Sequence, residues 1–440
     1  MDIIEAIRDA GVVGAGGAGF PTHVKLKVHA KRVIVNGAEC EPLLRADQLA
    51  MQYQAEKVVR GLELAMEAAH AEQGIIATKE HYGEAVTALG RAIAGKPNLS
   101  LHLMESYYPS GDEKAVIFEV TGEVVPTGKL PIDLGCVVIN VGTALNIADA
   151  ADGKPVTDKS VTVCGGVPEP VTVTVPIGTS MRKVLELSGF CGNERDYALI
   201  VGGPCMGSLN ENWDEPVTKT TGGLLILPRS HQQITRRSIS MEHQARLAKS
   251  ICCQCSRCTQ LCPRHLMGLP VEPHKAMRAI STGSAELLGN SAGVLACSSC
   301  GLCTNYACEM GLTPSLVMAM LKTELSKAGV RPVPEAEISP DPWTRLKAVP
   351  VKRLIARMNL AAFDRPAPLS ERTVTPKQVF LMLRQHVGKP SEPVVKVGDM
   401  VQKGQLIARI PENALGAALH ASISGRVTEV NGQMIALAGE

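Results

Sequence analysis

Cys252, Cys255, Cys258 and Cys262 stand as Cys-x2-Cys-x2-Cys-x3-Cys with Pro263 next, and Cys297, Cys300, Cys303 and Cys308 repeat the triplet with a four-residue last gap. Thiolates two residues apart let a short loop curl around one corner of a cubane, and soft sulfur suits iron–sulfur covalency. The first run has the spacing of bacterial ferredoxins, so the sequence predicts two 4Fe-4S clusters and single-electron chemistry. In two-cluster ferredoxins the fourth cysteine crosses over. That puts Cys252, Cys255, Cys258 and Cys308 on one cluster, and Cys297, Cys300, Cys303 and Cys262 on the other. A pair of structural zinc sites is the alternative use of two four-cysteine sets. Cys40, Cys136, Cys164, Cys191, Cys205 and Cys253 have no ligand spacing and read as small buried side chains.

A second group of residues suits a phosphate or a flat ring. Gly14-x-Gly16-x-x-Gly19 matches a dinucleotide fingerprint, and Glu39 follows twenty residues after Gly19. A helix precedes the run and Phe20-Pro21 follows it, so a Rossmann site and a plain turn both stay open. Bare backbone N–H groups in such a run admit close approach, and Lys25 adds a charge. Asn36-Gly37-Ala38-Glu39-Cys40-Glu41-Pro42 directly follows a strand, at the end where α/β sheets collect ligands. Together they point to a flavin pocket.

The elements that must position these groups alternate. Residues 2–10 read as a helix, Arg32–Asn36 as a buried strand, and Asp47–His70 as one long helix turning Leu49, Val58, Val59, Leu62 and Met66 inward. Strands at 74–78, 101–104 and 136–140, with a helix near 81–94, complete an α/β pattern. From about residue 160 the texture is β-rich, and 197–203 and 222–228 read as strands that return to the first domain. Pro332, Pro334, Pro340, Pro342, Pro350, Pro366 and Pro368 mark a linker interrupted by one helix at 351–363, and the last 60 residues read as a compact all-β domain.

Bulk properties narrow the classes. A chain of 440 residues predicts about three domains, and 45% hydrophobic with 20% charged residues is a globular balance. A formal charge of +2 gives no field for nucleic acid or an anionic membrane, and 3% aromatics leave few stacking platforms. No apolar run approaches the ~18 residues of a membrane span. The start MDIIEAIRDAG is acidic and amphipathic rather than a leader, so the expectation is a cytoplasmic protein whose 14 cysteines are metal ligands and reduced thiols.

GAGGAGFPTHVK (14–25), VIVNGAECEP (33–42), YYPSGDEKAVI (107–117) and TGEVVPTGKLPIDLGCVVINVGTA (121–144) resemble the NADH-oxidising flavoprotein subunit of respiratory complex I. They resemble still more closely the C subunit of the Rnf electron-transport complex. VCGGVPEPVTVTVPIGTSMRKVL (163–185) is similar to the soluble-ligand-binding β-grasp module of that family. The cobalamin-reducing branch found in propanediol-utilisation microcompartments shares this chain's domain order, with HVGKPSEPVVKVGDMVQKGQLIA (386–408) in a C-terminal module.

The resemblance implies an α/β flavin domain (1–155), an inserted β-grasp module with return strands (156–230) and an α-helical two-cluster ferredoxin-like domain (231–330). A Pro-rich linker with one helix (331–375) and an all-β hammerhead-like domain (376–440) follow. It implies FMN cradled by Gly14, Gly16, Gly17 and Lys25, with Asn36, Glu39 and Glu41 on the ring and ribityl side. Tyr108, Gly111, Asp112 and Glu113 line the NADH approach, Phe20 stacks on nicotinamide or adenine, and Asn140 and Thr143 reach the phosphate. Ala38 stands where complex I has an aspartate, and Cys40 replaces a small residue between the glutamates.

The implied activity is transfer of electrons from NADH through FMN and two 4Fe-4S clusters to cobalamin, supporting a cobalamin-dependent diol dehydratase, with no catalytic side chain beyond the cofactors. Implied partners are an adenosyltransferase and a microcompartment shell or another iron–sulfur protein, inside a bacterial microcompartment. An Rnf-type subunit delivering electrons to a ferredoxin, a partner protein or a membrane complex is the alternative, and a β-grasp ligand sensor a third. The C-terminal domain resembles a lipoyl or biotinyl carrier but has Ser424-Gly425 and no lysine at the hairpin tip, so a docking or spacer role is expected. His386 as a cobalt ligand, and Lys352, Arg353 and Arg357 opposite Leu354, Ile355, Met358 and Leu360 as an anion-facing helix, stand beside blander readings as a structural histidine and a solvated face.

Overall fold

In the computed structural model, which describes residues 2–289, 291–335 and 337–439, the Asp2 carboxylate accepts the Ile4 N–H and caps helix α1 (Ile3–Asp9). The glycine run follows, closed at its neck by a bridge between Val13 and Pro21, and leads into α2 (Thr22–Leu26). Then come β1 (Arg32–Gly37), α3 (Ala46–Tyr53), α4 (Ala55–Ala68), β2 (Gln73–Lys79), α5 (Gly83–Ala92), β3 (Leu99–Met104), β4 (Tyr107–Tyr108), α6 (Glu113–Thr121), β5 (Cys136–Asn140) and α7 (Val141–Ala151). β1, β2, β3 and β5 form a parallel sheet in the order β3-β2-β1-β5. The chain runs outward from β1 to β3 and then returns to β1's other side. That reversal makes a switch point between β1 and β5, where α/β sheets bind ligands beyond the strand ends. The stretch expected as one helix over Asp47–His70 is two, because Gln54 leaves the helical region at φ −131° and ψ 33°. The break lets α3 pack on α5 while α4 packs on α7.

A second sheet contains β6 (Asp158–Gly165), β7 (Val171–Pro176), β8 (Tyr197–Val201), β9 (Ser208–Asn210) and β10 (Gly223–Pro228), in the order β7-β6-β10-β8-β9, with α8 (Met181–Glu186) beside it. The strands expected to return to the first domain pair here instead. β10 lies between β6 and β8 and buries Leu224 and Ile226 with Val161, Val173 and Trp213.

Helices α9 (Gln232–Arg237), α10 (Met241–Ile251), α11 (Arg257–Gln260), α12 (Pro263–Leu266), α13 (Pro273–Thr282), α14 (Ser291–Leu295) and α15 (Pro314–Lys327) frame the cysteine loops around Leu269, Val271, Met277, Val317 and Met318.

From residue 337 the proline-rich segment is a strap packed on the body rather than a free linker. After α16 (Thr344–Lys347), β11 (Val349–Pro350) pairs antiparallel with β4, which satisfies its backbone. α17 (Val351–Arg357) and the turn after it bury Leu354, Ile355, Met358 and Leu360 in one core with Tyr108, Leu225 and Leu302. The apolar face is thus covered by the chain itself, and Lys352, Arg353 and Arg357 are a solvated cationic face.

β12 (Gln378–Met382), β13 (Glu392–Pro393), β14 (Met400–Val401), β15 (Leu406–Arg409), β16 (Leu419–His420), β17 (Gly425–Val430) and β18 (Met434–Gly439) make two small sheets, β12-β18-β17-β14 and β13-β15-β16. Val379, Leu381, Ile407 and Leu437 share a core with Ile7 and Val12 of the first domain. His386 is buried here, its Nε2 3.1 Å from the Ala417 amide, and burial lowers its pKa. It is held by backbone and not offered to a metal. Among the described residues no helix is long and apolar enough to cross a membrane.

Candidate functional site

Asn36 and Asn140 are register partners at the C-terminal ends of β1 and β5, astride the switch point. Asn140 Oδ1 accepts the Gly142 N–H at 2.8 Å to cap α7, while its Nδ2 donates to Asp47 at 2.6 Å. Asn36 Nδ2 donates to the Gly111 carbonyl at 2.9 Å, so the strand end is tied to the Tyr108–Glu113 segment.

The glycine loop folds over this end of the sheet. Thr143 Oγ1 accepts the Ala15 N–H at 3.0 Å, and Lys159 Nζ donates to the Ala15 carbonyl at 2.9 Å. A Cβ on Gly16 would lie 2.7 Å from Asn140 Nδ2, whereas Gly17 has nothing within 4 Å. Backbone therefore faces open space at Gly17, a cradle that a phosphate or flat ring can enter. Phe20, 39% exposed, stands at the loop's exit. Lys25 on α2 is engaged by Glu113 at 2.8 Å.

The acids behave differently from one another. Glu39, at φ 27°, accepts the Gln48 N–H at 3.1 Å. Burial pushes Glu39 and Asp47 upward, and the Asp47 charge adds to the rise at Glu39. Two nearby lysines are pushed down by burial, Lys79 and Lys159, the latter to about 8. Lys79 Nζ donates to the Glu39 carbonyl at 3.0 Å. Glu41 turns away from this group. Its two oxygens accept the Cys205 and Met206 amides at 2.8 Å each, which staples the flavin-type domain to the turn after β8. Asp47, Lys79 and Lys159 were not among the sequence candidates; they lie in no motif, and only the packing of α3, β2 and β6 brings them together.

The cysteine runs share a backbone pattern. Gln254 and Ser256 flank Cys255 with φ of 59° each, and Ser299 and Gly301 flank Cys300 with φ of 58° and 74°. Alternating right- and left-handed residues point successive N–H groups into one concavity, the nest that iron–sulfur sites use. Ser299 N–H points at Cys297 Sγ from 3.4 Å. The longer last gap of the second run is absorbed by one π-helical turn over Cys303–Ala307, in which the Cys308 N–H donates to the Cys303 carbonyl at 3.1 Å. A π turn is a one-residue insertion, so Cys308 arrives where a shorter gap would have delivered it.

The thiols sort themselves by reach. Burial, then Cys308, Cys255 and Cys252, pushes the Cys258 thiol up to about 12. Burial, then Cys300 and Cys297, pushes Cys262 up. Cys303 is raised by burial and by Cys300, Cys297 and Cys262, and it also senses Cys258 of the first group. Cys308 is thus felt by Cys258 of the first triplet and Cys262 shares its surroundings with Cys300 and Cys297 of the second, while α11, which carries Cys258, packs on the π turn that begins at Cys303. Among the described residues no three of His, Cys, Asp or Glu close to single-ion distance; a cubane carries a separate iron at each thiolate and needs its sulfurs wider apart than one zinc does.

Two ties join the halves. Tyr108, expected at the NADH approach, is 1% exposed, and its hydroxyl donates to the Cys300 carbonyl at 2.5 Å. Asp112, which caps α6 through the Lys114 and Ala115 amides, pairs with Arg264 at 2.7 Å two residues after Cys262. Tyr108 and Asp112 are therefore structural ties, and Gly111 and Glu113 are engaged by Asn36 and Lys25. Residues of this kind fit a flavin beside iron–sulfur clusters: an open glycine cradle at the switch point, and thiol-only donor sets wrapped by N–H nests.

Comparison with known proteins agrees with this reading. Residues 7–149 match the model of the Nuo51 FMN-binding domain, 251–313 a 4Fe-4S dicluster domain, and 367–440 the RnfC barrel sandwich hybrid domain. The chain is 44% identical over 435 residues to the cobalamin reductase PduS of Citrobacter freundii, covering 98% of this chain and 95% of that protein. It is 45% identical over 436 residues to the cobalamin reductase PduS of Salmonella typhimurium, covering 99% and 96%. A solved NAD+-reducing nickel–iron hydrogenase, in its air-oxidised state, shares the fold at a TM-score of 0.50 with 22% identity, over 83% of this chain and 67% of that one.

Proposed function

We propose that this chain, which belongs to the cobalamin reductase family, is an oxidoreductase that passes electrons from NADH through FMN and 4Fe-4S clusters to cobalamin. One observation carries the reading: the segment Tyr108–Glu113, tied to the end of β1 by Asn36 and to α2 after the glycine loop by Lys25, is fastened to the cysteine loops by the Tyr108–Cys300 bond, so a two-electron site and a one-electron site sit on one framework. Flavin, when bound, accepts two electrons and releases them singly, which a cluster requires.

The chain's own residues divide the work. Gly14, Gly16 and Gly17 present bare backbone to the flavin, and Asn140, Thr143 and Lys159 hold that loop over the sheet. Glu39 and Asp47 are half-buried beside each other, where desolvation favours their neutral forms. Two clusters take Cys252, Cys255, Cys258 and Cys308, and Cys262, Cys297, Cys300 and Cys303. The packing of α11, which carries Cys258, on the π turn that begins at Cys303 supports passage between them.

The finer assignments belong to the same proposal. Residues 156–230 serve as a β-grasp-like module, 376–440 as a hammerhead-like domain without the carrier lysine, and the working place is a bacterial microcompartment in company with an adenosyltransferase. The match of residues 367–440 to an RnfC domain favours a second reading, delivery to a ferredoxin or partner protein. An anaerobic NADH titration with ferredoxin and cobalamin offered in turn separates the two. Preferential reduction of ferredoxin favours the second reading, and failure of NADH to bleach the flavin removes both.

A further inference from the structure

We infer that the C-terminal β domain acts in cis as the lock on the glycine loop, with Lys219 as the positioning residue at its centre. The inference rests on reading Gly14–Gly19 as the flavin loop.

The loop is gripped at both ends by the same domain. Three residues before the loop, Gly11 takes φ 68°, and a Cβ there would lie 2.2 Å from the Ala418 carbonyl oxygen. Lys219 Nζ donates to the Gly11 carbonyl at 2.6 Å and to the Ala418 carbonyl at 2.8 Å, bridging the two domains at one atom. At the loop's end, Gly19 takes φ 74°, and its carbonyl accepts the Val387 N–H at 3.2 Å. A Cβ on Gly19 would stand 3.0 Å from the Gln385 carbonyl oxygen and 3.1 Å from His386 Cα. The two gripping strips, 385–387 and 417–418, are joined by the Ala417 N–H donating to His386 Nε2 at 3.1 Å. The Lys219 amide donates to Gln385 Oε1 at 2.9 Å, so this one residue touches the chain before the loop and both strips.

Lys219 is 3% exposed, and among the described residues no carboxylate pairs with it. Burial lowers its pKa to about 7. An amine buried between carbonyls costs more than an apolar side chain of equal size, so what Lys219 supplies is geometry. Thr143 and Lys159 hold the glycine run only at Ala15, and fixing the chain before and after it further arranges its N–H groups before the ligand arrives, which raises affinity without new contacts.

The test is FMN affinity of the flavin-depleted, iron-loaded full-length chain, read by quenching of flavin fluorescence, beside iron content. Lys219→Met and Gln385→Leu should each weaken FMN binding by at least about tenfold, with iron per chain unchanged, because the lock lies remote from the cysteine loops. Wild-type FMN affinity in either folded variant overturns the inference, as does parallel loss of flavin and iron in both. A wild-type chain that holds iron but binds no FMN would instead refute the flavin reading on which it rests.

Discussion

The Tyr108 hydroxyl donates to the carbonyl oxygen of Cys300 at 2.5 Å, within a core that Leu302 and Leu354 close off from solvent. A residue of the flavin-type domain thereby fixes the loop that wraps the second group of cysteines. Tyr108→Phe removes the donor and leaves that carbonyl unpaired, for about 1–2 kcal/mol of stability. The variant should keep its FMN, while reduction of the clusters by NADH slows several-fold in stopped-flow absorbance. Unaltered cluster reduction would show that the tie is incidental to transfer.

Arg264 and Asp112 are 11% and 12% exposed in their side chains. Arg264→Met strands a buried carboxylate and should destabilise the chain by roughly 3 kcal/mol. Asp112 also caps α6, so Asp112→Asn should cost less, because its oxygen can still accept the Lys114 and Ala115 amides. Thermal unfolding of the two single variants and the double variant gives the coupling, which should exceed about 1 kcal/mol.

Gly301 and Ser299 take left-handed conformations on either side of Cys300 but differ in tolerance. A Cβ on Gly301 would lie 2.8 Å from the Cys205 carbonyl oxygen, so Gly301→Ala should lower the iron content toward half by loss of the second cluster. Ser299→Gly relieves a left-handed residue and should keep full iron, with stability unchanged or raised by up to about 1 kcal/mol. Iron analysis with EPR of the reduced protein checks both.

Burial raises Glu41 from the ordinary 4.5 to about 7, against the opposing pull of the Cys205 and Met206 amides. Its folded pKa lies above the unfolded one, so its contribution to stability is fully present below 4.5 and is lost as pH rises through about 7. The full swing is at most about 3 kcal/mol, and less because Glu41 keeps part of its surface open. Glu41→Gln copies the neutral acid, so thermal unfolding at about pH 5.5 and about pH 8 should show a smaller loss on alkalinisation than wild type. Equal losses would place the titrating group elsewhere.

Spacing made the cysteines legible, because ligands that wrap one cluster must be close in sequence. The proposed crossing of Cys262 and Cys308 rests on the same pattern. The four-residue gap stood out as a departure, but its answer, a π turn at Cys303–Ala307, depends on backbone hydrogen bonding that no composition encodes. The parallel sheet was readable from apolar runs such as Val33–Val35 and Val137–Ile139, whereas the strands at 197–201 and 223–228 looked the same and gave no hint of which sheet they would join. Asp47, Lys79 and Lys159 escaped notice because three separate elements supply them. Tyr108 and Asp112 read as lining the NADH approach because residue type does not reveal burial. The proline-rich segment reads as a linker for a like reason, since Val349–Pro350 acquires a partner only when Tyr107–Tyr108 lies beside it.

The most direct measurement is anaerobic: full-length protein loaded with FMN and iron is mixed with NADH and cob(II)alamin, and cobalt reduction is trapped by an adenosyltransferase. Adenosylcobalamin should form in step with NADH oxidation, and formation should fall sharply in Cys262→Ala and Cys308→Ala proteins that retain their flavin. NADH-driven flavin bleaching without adenosylcobalamin, in wild-type protein holding its full complement of iron, would contradict cobalamin as the acceptor.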